Sequence, residues 1–203
     1  MTQAAQTDVT IPEEDKLRAD LYDFLAALLA GPPSRGLLEQ AARLRGDGSP
    51  LGQAVNTLAK LAAATTEQGA EREFTDLFIG IGRGELMPYA SYYMTGFLNE
   101  KPLAALRADM AARSIKRAPN VYEPEDNIAS LMEMMAGLIE GRFGAPATVP
   151  RQREFFNRHI APWAGHFFSD LEGAKTSVFY VPVGTVGRLF MEIEREAFRM
   201  AGN

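Results

Sequence analysis

The chain has 203 residues, which fits a single domain, and 46% of them are hydrophobic, enough to bury a core without disulfides or a structural metal. The absence of cysteine excludes disulfides, thiolate metal sites and cysteine nucleophiles, and it suits a reducing compartment. A net charge of -5 opposes contact with a phosphate backbone, so we expect no nucleic-acid partner.

The polar residues 1–12 lack periodicity and predict a flexible N-terminal tail, and they lack the basic and apolar regions of a secretory signal. Residues 13–203 are expected to form one helical domain in the cytoplasm. Apolar residues recur at helical spacing through most of this range. The predicted helices, in chain order, cover residues 13–30, 34–45, 50–65, 70–79, 101–113, 124–141, 150–161, 163–172 and 183–201.

Strands are poorly supported by the sequence. Only residues 177–183 are rich in strand-forming residues, and Pro182 weakens that interpretation. The last predicted helix places Ile193 among its buried residues. No apolar run approaches the roughly 20 residues that span a bilayer, so we expect no stable membrane insertion. The predicted fold class is all-α, a single-domain multi-helix bundle.

Motifs of catalysis are missing from the sequence. The glycine-rich run 80–84 lacks the Lys-Ser/Thr pair of a phosphate-binding loop. The two histidines, His159 and His166, have no companion pattern of metal ligands, and there is no nucleophile elbow around a serine. We therefore expect no catalytic residues and no metal site, and we interpret the chain as a non-enzyme.

Two segments can instead carry recognition. Residues 123–127, Glu-Pro-Glu-Asp-Asn, read as a helix start, and this geometry would place Asp126, Glu133 and Glu140 on one polar stripe able to receive guanidinium groups. The second segment is aromatic and flanks the glycine-rich run. It can line a groove for an apolar peptide or simply form core, and both readings stay open. Its residues are Phe74, Leu77, Phe78, Pro88, Tyr89, Tyr92 and Tyr93.

The sequence resembles the redox-enzyme maturation chaperones of the TorD/DmsD type. The resemblance rests on Phe-Thr-Asp-Leu-Phe-Ile-Gly at 74–80, Pro-Tyr-Ala-Ser-Tyr-Tyr at 88–93, Glu-Pro-Glu-Asp-Asn at 123–127 and His-Ile-Ala-Pro-Trp at 159–163. It implies an all-helical fold that is a monomer or a domain-swapped dimer. The partner it implies is the precursor of a molybdoenzyme catalytic subunit, bound by its twin-arginine leader and held back from export until cofactor insertion.

The resemblance also implies a leader-binding site without cofactors, although weak GTP binding has been proposed in the family. One departure is Asn127, where the family usually has histidine; asparagine cannot become charged near neutral pH. The residues implied to bind the leader are Phe74, Leu77, Phe78, Pro88, Tyr89, Tyr93, Glu123, Pro124, Asp126 and Asn127.

Three other functions remain open at this point, one of them a helical sensor that would bind a small molecule in an enclosed apolar pocket. An assembly chaperone of the nitrate-reductase type would act on a catalytic subunit that is not exported. A guanine-nucleotide-binding helical regulator would use the glycine-rich run 80–84.

Overall fold

The structure is a computed structural model that describes residues 11–119 and 121–202. The tail predicted for residues 1–12 lies, as far as residue 10, outside the described residues. The helices are α1 Glu13–Leu29, α2 Arg35–Arg43, α3 Pro50–Ala64, α4 Glu67–Phe74, α5 Ala90–Thr95, α6 Lys101–Ala112, α7 Ile128–Glu140, α8 Val149–Phe155, α9 Ala164–Glu172 and α10 Tyr180–Met200. Thr75–Ile79 and Phe156–Ile160 continue α4 and α8 as π-helical turns. Within the described residues there is no strand, and the predicted all-α fold is confirmed.

The helix starts follow local chemistry. The side chains of Ser34, Ser49 and Thr66 each accept a backbone N–H at the start of α2, α3 and α4, as N-cap residues do. Acidic residues fill the first turn of α1, where they complement the helix dipole.

Helix α7 lies at the centre of the bundle. It packs along α1, while α9 packs along α10 and α3 joins α10 to α2. Nearly every residue of α7 is buried, including Leu131, Met132 and Met135 at 0% exposure. Aromatic side chains fill the space between α9 and α10, with Phe167, Phe168 and Tyr180 fully buried.

Helix α10 begins earlier than predicted. It starts at Tyr180 rather than at residue 183, so residues 180–183 of the strand candidate 177–183 are helical. Pro182 lies in the first turn, where a missing N–H breaks no helical hydrogen bond. The Glu73 carboxylate accepts hydrogen bonds from the N–H groups of Val178 and Phe179 at 3.0 and 2.8 Å. It thereby satisfies backbone donors at the start of the helix, which have no partner within the helix.

The buried face of α10 also differs from prediction. Ile193 is 49% exposed, and the neighbouring Glu194 is buried at 1% exposure. Arg18 of α1 donates to both Glu194 oxygens at 2.8 Å, and the Tyr22 hydroxyl donates to one of them at 3.0 Å. The ion pair compensates the burial of the carboxylate and fixes α1 against α10. Burial lowers the pKa of Arg18, but pairing with Glu194 outweighs it and raises the pKa above its ordinary value.

Candidate functional site

The two recognition segments lie side by side. Tyr89 and Asn127 form an isolated antiparallel bridge. The Ala90 N–H donates to the Asp126 carbonyl at 3.0 Å, and the Ile128 N–H donates to the Pro88 carbonyl at 2.9 Å. Residues 88–91 and 123–128 are therefore one unit, which we call the paired segments.

The paired segments also explain why α7 begins later than predicted. The predicted helix started near Pro124, but the Asp126 carbonyl and the Ile128 N–H bond to the backbone of residues 88–90, so α7 starts at Ile128. The Asn127 side chain accepts the Ala129 N–H at 2.9 Å and is the N-cap of α7. An uncharged asparagine serves well at this position, where the family's histidine is absent.

The predicted polar stripe of α7 is wrong for Asp126. This residue precedes the helix and is 1% exposed, and its Oδ2 accepts the Ser91 N–H at 2.7 Å. Asp126 thus stabilises the start of α5. The other carboxylates of the segment are also engaged: Glu123 accepts from the Tyr89 hydroxyl, and Glu125 pairs with Arg107 at 2.8 Å.

An open cleft lies beside the paired segments, between the end of α1 and the start of α7. Its volume is about 780 Å³. Two of its apolar residues are unusually exposed, Ile79 at 57% and Val121 at 43%. The apolar lining comprises Ala26, Ala27, Leu29, Ala30, Pro32, Phe74, Phe78, Ile79, Pro88, Val121 and Ala129. A cleft with mostly small and aromatic walls suits an apolar segment of another polypeptide.

Charged side chains line the same cleft. The acidic ones are Asp23, Glu123 and Glu133, and the basic one is Arg142. Arg142 pairs with Asp23 across the cleft. Glu133 is exposed, and in the part of the chain that the structure describes it makes no ion pair and no side-chain hydrogen bond. Burial, with the hydrogen bond to Glu123, raises the pKa of Tyr89 far above its ordinary value, so its hydroxyl stays protonated and donates.

Six of the ten predicted binding residues line the cleft: Phe74, Phe78, Pro88, Tyr89, Glu123 and Asn127. Four do not. Leu77 is fully buried in the core, and Tyr93 packs on Trp163 at 5.3 Å while its hydroxyl donates to Asp170. Pro124 and Asp126 belong to the paired segments without forming the surface of the cleft.

The family follows from comparison with known proteins. A family model described as nitrate reductase delta subunit matches residues 45–169, more than half of the chain. This chain belongs to that family. The matched range contains every predicted binding residue, and the resemblance to the TorD type is confirmed by the relatives below.

Two curated relatives illustrate the extent of the match. Chaperone protein TorD of Vibrio cholerae is 32% identical over 122 residues, 57% of this chain and 54% of the relative, so the chain spans about half of that relative. Chaperone protein TorD of Vibrio atlanticus is 25% identical over 200 residues, 88% of this chain and 93% of the relative. The family resemblance therefore extends along almost the whole chain.

A solved structure shares the fold. A protein of Archaeoglobus fulgidus described as a redox enzyme maturation protein superposes with a TM-score of 0.56 at 20% identity, covering 87% of this chain and 94% of that one. Like its solved neighbour, this member of the family has a helical architecture. None of its helices within the described ranges is long and apolar enough to cross a bilayer.

The remaining candidates have structural partners. His159 lies in the π-helical turn after α8, buried, with its Nε2 2.8 Å from Asp109 Oδ2. Burial lowers its pKa, although Asp109 opposes that effect. In the glycine-rich run, Gly80 and Gly82 have positive φ, and the Arg83 guanidinium lies 5.0 Å over the Tyr92 ring. GTP binding at this run stays a prediction.

Sequence reasoning missed the residues that α1 and the end of α7 contribute to the cleft. Asp23 and Arg142 are 119 positions apart and carry no motif. The only signal was indirect: Ala26 and Ala27 are small residues near the end of a leucine-rich helix, and Ala30 caps that end.

Proposed function

We propose that this protein is a non-catalytic cytoplasmic chaperone that binds the twin-arginine leader of a molybdoenzyme catalytic subunit precursor. By covering the leader it delays export while the cofactor is inserted. Family membership supports the chaperone role, since the curated relatives are named chaperone protein TorD.

The observation that carries the proposal is the combination of apolar walls and carboxylates in one cleft. A twin-arginine leader presents guanidinium groups followed by an apolar stretch. The apolar stretch would pack on Phe78, Ile79 and Val121, where exposed apolar surface is withdrawn from water. One guanidinium group would bind at Glu133 and the other at a second carboxylate of the cleft, because carboxylates receive the planar guanidinium through paired hydrogen bonds.

Asp126 takes a different role in this proposal from the one its motif suggests. Its buried carboxylate already accepts the Ser91 N–H, so it would support the site by fixing the paired segments together. Direct contact with the leader falls instead to carboxylates that reach the cleft.

Titration calorimetry with a synthetic twin-arginine leader peptide tests the proposal. Charge-assisted hydrogen bonds contribute about 1.5–3 kcal/mol, so Glu133→Gln is expected to weaken binding about tenfold or more. Glu192→Gln, an exposed change on α10 outside the cleft, serves as the control and should leave the affinity unchanged. Equal affinity in the wild type and the Glu133 variant would exclude this carboxylate from recognition.

A second function is favoured by the family description itself. Members of the nitrate-reductase type would act on a catalytic subunit that is not exported. The same cleft would then receive an N-terminal apolar segment without an arginine pair. Peptides with and without the pair distinguish the two: equal binding of both favours the nitrate-reductase version.

A further inference from the structure

The protein's own arginine occupies part of the cleft. Arg142 follows α7 directly, and its Nη1 donates to Asp23 Oδ1 at 3.0 Å while its Nη2 contacts Asp23 Oδ2. Its Nε donates to Glu140 at 2.7 Å. Asp23 and Arg142 both line the cleft, so a guanidinium group is already bound to a carboxylate there, and Glu140 is its second partner.

The backbone directs Arg142 to this place. Gly141 ends α7 in the left-handed conformation, with φ of 80°, and the N–H groups of Gly141 and Arg142 both donate to the Gly137 carbonyl at 2.9 Å. A Cβ on Gly141 would lie 2.7 Å from Pro146, so the turn requires glycine on both grounds. Arg142 therefore leaves a fixed turn and reaches back across the cleft to α1.

The pair is accessible to exchange. The Arg142 and Asp23 side chains are 39% and 34% exposed. Solvent reaches both side chains, so a second guanidinium that makes the same two-point contact can compete for the Asp23 carboxylate.

We propose that Arg142 is an internal competitor for a client arginine: its guanidinium occupies the carboxylates of Asp23 and Glu140, and a client's arginine displaces it on binding. This inference rests on the proposed leader-binding function and adds a determinant of specificity to it. The competition lowers affinity for single arginines and favours a client with two, since the second can take Asp23 after the first has bound Glu133.

A double-mutant cycle on Arg142 and Asp23 tests the inference, with calorimetry on a peptide of two adjacent arginines and an apolar stretch. Arg142→Gln is expected to tighten binding of this peptide by about threefold or more, because Asp23 and Glu140 become free. Asp23→Asn should weaken binding in the wild type, where the client's second arginine displaces Arg142 and takes Asp23, and it should abolish the gain in the Arg142→Gln background.

Two controls make the cycle specific. The same peptide with glutamine in place of both arginines should bind the wild type and Arg142→Gln with equal affinity. If Arg142→Gln instead binds both peptides more tightly by the same factor, Arg142 blocks the cleft only by its bulk, and the inference is overturned. Arg199→Gln removes the same charge from an exposed pair on α10 and should leave binding unchanged.

The outcomes separate this inference from the proposed function. If the wild type binds the arginine peptide and Arg142→Gln binds it no better, internal competition is refuted while leader binding stands. If neither protein binds the peptide, both proposals fail.

Discussion

Replacing Glu194 with alanine is expected to destabilise the protein by about 3 kcal/mol. Removing one partner of a buried ion pair costs about 3–5 kcal/mol, because the other charge is left uncompensated. Here the Arg18 guanidinium would lose both oxygens at 2.8 Å, and the buried Tyr22 hydroxyl would lose its acceptor. Arg18 keeps Asp15 at 2.5 Å and Gln152 at 3.2 Å and is 17% exposed, which places the loss at the lower end of that range.

Urea denaturation followed by circular dichroism measures the free energy of unfolding. For a chain of this size, about 3 kcal/mol corresponds to a fall in Tm of about 6–12 °C. Glu196→Ala, two positions along α10, is the matched control: Glu196 is 53% exposed and pairs with Arg199, so its loss should leave the free energy of unfolding nearly unchanged. Equal, small losses in both variants would refute the reasoning.

A double variant adds a second test of the same pair. Arg18→Met with Glu194→Leu removes both charges and should recover part of the stability lost in Glu194→Ala, because apolar residues of similar volume replace a buried ion pair at little cost, while the buried Tyr22 hydroxyl still lacks its acceptor. The pair matters for the cleft because it fixes α1, whose far end forms one wall.

Two further predictions concern packing and pH. Gly184→Ala should cost about 1–3 kcal/mol in urea denaturation, because its Cβ would lie 2.3 Å from the Glu172 backbone nitrogen and force α9 away from α10; an unchanged midpoint would contradict this close approach. Stability should fall as pH drops below about 6.5, because burial lowers the pKa of His159 and the unfolded state then binds more protons than the folded state. His159→Gln should flatten the dependence of the unfolding free energy on pH below about 6.5; an unaltered dependence would mean that other groups cause it.

Most of the helical fold could be predicted because its signals are local. The apolar spacing of α7, the Gly-Pro-Pro break after α1 and the proline in the first turn of α6 each act within a few residues. Predictions failed where a distant group intervened. Pairing with residues 88–90 delayed α7 to Ile128, and the Glu73 carboxylate helped to start α10 at Tyr180.

The candidate site was predicted in part for the same reason. Both recognition segments have the composition of a binding surface, and both contribute to the cleft. Some of their side chains, however, lie at the surface and others in the interior. In an irregular segment the spacing of apolar and polar residues does not reveal which side chains are buried. Leu77 and Asp126 point inward, whereas Glu133 reaches the cleft from a helix that is otherwise buried.

The sequence by itself determined the helical class, the approximate helix bounds, the family resemblance and the two segments that meet beside the cleft. These depend on spacing, capping and composition, which act over one or two helical turns. Only the tertiary structure decided which carboxylates are engaged internally, that Glu194 rather than Ile193 enters the core, and that Arg142 meets Asp23. The reason is that burial of a charge depends on its partner, and Arg18 and Glu194, like Asp23 and Arg142, lie more than a hundred positions apart in the chain.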